Sequence, residues 1–191
     1  ACTITRTFEI GNGCLLNFGN REVVVATNAK LDTGSGNVEL RAGSLRVADR
    51  GTITSTAPGV GMILIQVARN LAIERGVGRG AIDLSSSSVT GCIEIVAGGD
   101  VRIAGNLLSV QSGQAGRGGD ISVEAGGDIV VESGASVSVS GDPSASEGGV
   151  IDFSAGRDLQ LGATLDASGA STGAIDLLAG RDVVIAGIDL T

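Results

Sequence analysis

The chain has 191 residues and a formal net charge of −8, with 32 Gly, 2 Pro, 3 Phe and no Trp, Tyr or His. That length suits a single domain able to bury a substantial core. The acidic balance argues against nucleic acid and anionic membrane surfaces as partners, and the missing His removes the usual neutral-pH acid–base group. Hydrophobic residues still make up 42 % of the chain, so it is not compositionally disordered, and its apolar mass is mostly Val, Ile, Leu and Ala.

Residues 1–15 read as an N-terminal capping segment. No basic region precedes an apolar stretch, so any signal peptide is expected to have been removed. Cys2 and Cys14 flank an apparent hairpin from Thr3 to Asn12. A disulfide between them would pin this end in an oxidising compartment, leaving Cys92 unpaired. No CxxC or Cys/His ligand spacing is present, so structural zinc is not expected.

Residues 16–191 read as one repeat array. The unit is plainest in the second half, where Ile93-Glu94-Ile95, Ile121-Ser122-Val123, Ile151-Asp152-Phe153 and Ile175-Asp176-Leu177 each precede a Gly-Gly-Asp or Gly-Arg-Asp turn. A second alternating triplet such as Val101-Arg102-Ile103 follows each turn. The period of roughly 24 to 30 residues is that of a solenoid. Weaker copies begin at Leu16, Val38 and Ile63, which makes seven coils. In these, Asn70 occupies the Asp position after Ile63 and Glu22 occupies it after Leu16.

Each coil is expected to hold three short strands, the third being a looser segment such as Val137-Ser138-Val139. Alternation sends Ile93 and Ile95 inward and Glu94 outward. Seven coils at about 4.8 Å give a rod of roughly 34 Å. The fold expected is therefore an all-β, right-handed parallel β-helix of about seven coils. Met62 to Glu74 also fits an amphipathic helix, but its alignment with both neighbouring coils favours strands.

At the corners, Gly is expected to supply positive φ, with Glu22, Asn70, Asp100, Asp128, Asp158 and Asp182 capping local backbone N–H groups. Stacked carboxylates would repel, and Arg157 and Arg181 could offset part of that. A calcium ladder is the alternative, although the calcium-binding pattern G-G-x-G-x-D is absent. No metal or other cofactor is expected. Insertions are expected after the third strands, over 55–61, 75–80, 111–119 and 141–149, and hold both prolines.

The Ala-Gly-Gly-Asp and Ala-Gly-Arg-Asp corners, within Val38 to Thr191, resemble those of secreted bacterial right-handed parallel β-helix proteins. These are the filamentous-haemagglutinin-like and other extracellular Gly-Gly-Asp solenoids. The resemblance implies an exported stalk, adhesin or surface fibre that acts outside the cell, with no shared catalytic residues to transfer. Glycosidase or lyase chemistry is disfavoured by the lack of aromatic sugar platforms and His, although Asp152 and Asp176 share an outward column. An adhesin would bind a glycan or cell surface through the loop row, which lacks the Tyr and Trp common in hot spots.

The C-terminal run Ile185 to Thr191 stops on repeat sequence, with no polar cap in view. Val183, Ile185, Ile188 and Leu190 are the expected end-stacking face. Head-to-tail stacking of such rods does not close and builds filaments. The sequence thus favours a non-enzymatic, extracellular homo-oligomer without membrane insertion.

Overall fold

A computed structural model describes residues 1–11, 13–34, 36–55, 61–75, 80–85, 91–109 and 116–186. Twenty-two strands and no helix occur among these residues, so nothing there forms an apolar helix able to cross a membrane. The strands form three parallel sheets whose members recur once per coil, giving a three-sided β-solenoid.

The first sheet holds eight strands. They are β1 (Cys2–Ile4), β4 (Glu22–Val25), β7 (Ser44–Val47), β10 (Leu71–Ile73), β13 (Val101–Ile103), β16 (Ile129–Val131), β19 (Leu159–Leu161) and β22 (Val183–Ile185). The second holds seven, namely β2 (Phe8–Glu9), β5 (Lys30–Asp32), β8 (Thr52–Thr54), β11 (Ala81–Asp83), β14 (Asn106–Leu108), β17 (Ser136–Ser138) and β20 (Leu165–Asp166). The third also holds seven, β3 (Leu15–Asn17), β6 (Val38–Ala42), β9 (Met62–Val67), β12 (Cys92–Ala97), β15 (Asp120–Ala125), β18 (Val150–Ala155) and β21 (Ala174–Ala179).

Register follows the aliphatic columns. Ile63, Ile93, Ile121, Ile151 and Ile175 align strand to strand, as do Leu71, Val101, Ile129, Leu159 and Val183. Alternate residues of each strand meet inside, where Ile93, Ile95, Ile103, Leu107 and Phe153 are fully buried. Met62 to Glu74, the segment with two readings, contributes β9 and β10.

Three details differ from the sequence reading. The third-sheet strands extend to six residues from β9 onward, which adds an inward column of Val67, Ala97, Ala125 and Ala155 beside the corner. In the first coils the register is offset by two, because Leu16 pairs with Leu40 rather than Val38. The surplus residues form a turn in which the Gly19 amide donates to Asn17 Oδ1 and Gly19 has φ 58°. Finally, Cys2 to Glu9 forms no hairpin, and Asn12 lies outside the described residues: β1 and β2 lie in different sheets, each parallel to the next coil, so these strands continue the solenoid.

Of the insertions, 141–149 lies wholly among the described residues, whereas 55–61, 75–80 and 111–119 lie partly outside them, with Pro58. The 141–149 loop is tied into the stack. The Glu147 amide donates to the Gly116 carbonyl, the Gly148 amide to the Ser171 carbonyl, and the Ala170 amide to the Ser146 carbonyl. Arg117, Glu147 and Ser171 thereby form a short parallel bridge ladder of their own.

Candidate functional site

Two features of the solenoid stand out as candidate sites, its corner between the third and first sheets and its two ends. The corner column holds Glu22, Ser44, Asn70, Asp100, Asp128, Asp158 and Asp182, each just before or at the start of a first-sheet strand. Its side chains do accept backbone N–H groups, but between coils and not locally. The Asp100 amide donates to Asn70 Oδ1 at 3.0 Å, the Asp128 amide to Asp100 Oδ1 at 3.0 Å, and the Asp158 amide to Asp128 Oδ1 at 3.2 Å. Stacking places each acceptor beneath the next amide, so an inter-coil bond replaces the local cap expected from sequence.

Charge in this ladder is balanced by two arginines from the later coils. Arg157 donates to Asp100 Oδ1 at 2.7 Å and to both carboxylate oxygens of Asp128 at 3.0 Å, so one guanidinium spans two earlier coils. Arg181 donates to Asp158 Oδ2 at 2.6 Å. The Asp158 amide, then Arg157, hold the Asp128 carboxyl below the ordinary carboxylate range. Glu22 and Asp182 share the column, but the side-chain rungs found among the described residues are those of Asn70, Asp100 and Asp128. Asp158 Oδ1 is buried with no hydrogen-bond partner, so the ladder stops one coil short of Asp182.

The corner glycines serve a different purpose from the one the sequence suggested. Positive φ occurs at Gly13, Gly19, Asn28, Gly34, Arg50 and Gly134, and at none of the Gly-Asp corners. What those corners require is close approach. A Cβ on Gly126 would sit 2.5 Å from the Gly98 carbonyl oxygen, and one on Gly127 would sit 2.0 Å from Asp100 Oδ1.

At the ends, inward columns lose their cover. Among the described residues the exposed large hydrophobic ones all lie in the first or last coils: Phe8, Val183 and Ile185 in inward columns, and Leu15, Leu178 and Val184 in outward ones. A recess of about 380 Å³ at the N-terminal end is lined by Ile4, Phe8, Leu16, Phe18 and Leu31 with Arg6. Of the expected stacking residues, Val183 and Ile185 are exposed in β22, whereas Ile188 and Leu190 lie outside the described residues. Cys2, Cys14 and Cys92 are all free thiols, so the Cys2–Cys14 bridge is not formed. Partial burial, with Asp120 and Glu94 nearby, pushes the Cys92 thiol up.

The outer faces carry polar groups that the sequence reading missed. Asp32, Asp83 and Asp166 each accept the amide two residues on, at Gly34, Ser85 and Ser168, where second-sheet strands end. The signal was present as Asp followed two residues later by Gly or Ser, a common Asx-turn pattern. Partial burial pushes the Asp166 carboxyl up, but bonds from Ser168, Ser138 and Ser140 outweigh it and hold the group low. A shallow recess of about 520 Å³ lies beside it, lined in part by Ser136, Ser138, Gly162 and Thr164. Glu94, Ser122, Asp152 and Asp176 align in the outward row expected, with Asp152 and Asp176 exposed. Among the described residues no three Cys, Asp or Glu groups converge as a metal site. Comparison with family models, curated proteins and solved structures returns no match, so the chain is placed by its architecture, a parallel β-solenoid.

Proposed function

We propose that the chain is a non-enzymatic, extracellular structural element: a β-solenoid rod that serves as a filament subunit or surface stalk. Its ends bed on further coils, supplied head to tail by identical or similar subunits. The observation that carries this reading is that, among the described residues, inward-column hydrophobics are exposed only in the first and last described coils, at Phe8, Val183 and Ile185. Along the sides the aliphatic columns are sealed, and ion pairs such as Arg46–Glu74 and Arg102–Glu132 link consecutive coils across the surface. An apolar cross-section bordered by unpaired strand edges favours addition of another coil. The extracellular setting rests on the resemblance of the Gly-Gly-Asp and Gly-Arg-Asp corners to those of secreted bacterial solenoids.

Electron microscopy of the purified chain tests the reading. Thin rods many times the length of one chain are expected, and isolated short particles at high concentration would contradict it. A second reading, a surface adhesin for glycans, draws on the polar recess beside Asp166. Saturable glycan binding by the monomer, lost in Asp166→Ala, would favour that reading instead.

A further inference from the structure

We propose that the corner ladder is an acid- and salt-released latch that acts only on the coils from Asp100 onward. The three side-chain rungs differ in one chemical respect. The Asp100 amide is held by the neutral carboxamide of Asn70, whereas the Asp128 and Asp158 amides are held by the carboxylates of Asp100 and Asp128. Hydrogen bonds to an ionised acceptor are roughly twice as strong as neutral ones, and protonation removes that surplus. The same protonation releases Arg157, which bonds both carboxylates at once.

Backbone bonding is otherwise alike at each step. The Leu71, Val101 and Ile129 amides donate to the carbonyls of Asp100, Asp128 and Asp158, each at 2.9 Å. The side-chain acceptor is therefore the variable that separates the rungs.

The charged groups around the latch come from every element that meets there. Arg69 lies in the Asn70 corner and donates to the Asn20 carbonyl, Arg157, Arg181 and Asp182 lie in the later corners, Glu124 lies on β15, and Arg102 lies on β13, paired with Glu132. None of these places a second cation on the carboxylate of Asp100, so Arg157 is the clamp that acid or salt releases. The Arg157 side chain is 49 % exposed, which leaves its ion pairs open to screening. The Asp128 carboxylate, held low in the folded state by the Asp158 amide and then by Arg157, stabilises the fold above its unfolded value, near pH 4, and loses that effect as pH falls through the folded value. Acid therefore loosens the corners whose acceptors are carboxylates bonded by Arg157 and leaves the Asn70 rung, whose carboxamide does not titrate, unchanged.

Residue-resolved amide exchange on the full chain at pH 6 and pH 2.5, corrected for intrinsic exchange chemistry, tests the latch. Protection of the Asp128 and Asp158 amides is expected to fall about tenfold relative to that of the Asp100 amide. The double variant Asp100→Asn/Asp128→Asn, which keeps an acceptor at each rung, should abolish that difference. Arg157→Gln should remove most of the salt dependence at neutral pH. Equal change at all three amides, or a difference that persists in the double variant, would overturn the proposal.

Discussion

Ile103 and Ile185 belong to one inward column of the first sheet, yet Ile103 is fully buried and Ile185 is 48 % exposed. The side chains are identical and both strands are in register, so what differs is the number of coils stacked against them. In a solenoid, burial is conferred by neighbours along the axis and not by a closed core, and stability is roughly a sum over adjacent coils. A middle coil is complete in this sense. An end coil has such a neighbour on one side only.

Substitutions can break this comparison, beginning where the effect should be largest. Phe153→Ala empties a fully buried position in β18 and should cost about 3–5 kcal/mol in denaturant unfolding. Gly126→Ala drives a methyl group against the Gly98 carbonyl and should cost about 1–3 kcal/mol, by a coil shift that calorimetry and amide exchange would detect. Ile185→Ala, at the half-exposed end of the column, should cost less than about 1 kcal/mol in the monomer. A comparable loss at Ile185 and at Phe153 would erase the distinction between middle and end. Stability should also decline as pH falls below about 4, because Asp128 and Asp166 are held low in the folded chain.

Much of the fold was legible because the repeat carries its own register. Ile93, Ile121, Ile151 and Ile175 sit at the same distance ahead of a Gly-x-Asp turn, and that fixes both the sheet and the inward face. The offset at Leu16 was not legible, since alternation repeats every two residues and a slip of two leaves the same faces inward and outward. Only the turn from Phe18 to Arg21, with Asn17 bonded to Gly19, reveals where the extra residues go. The corner acidic residues and the two arginines beside them were found, but the amides they accept were not, because a bond from Asp128 to Asp100 spans a full coil that local patterns do not encode. The corner glycines misled for a related reason. Sequence alone does not distinguish a need for left-handed backbone from a need for room, and only the stacked coils show that Gly126 and Gly127 supply room.

The most direct test of the account is light scattering over a wide concentration range, comparing the chain with its Val183→Lys/Ile185→Lys variant. Both altered side chains lie on the exposed end strand, so the monomer fold should survive. The account predicts a mass that climbs with concentration for the parent chain and stays at one subunit for the variant. A parent chain that remains a single subunit throughout, or a variant that assembles equally well, would contradict it.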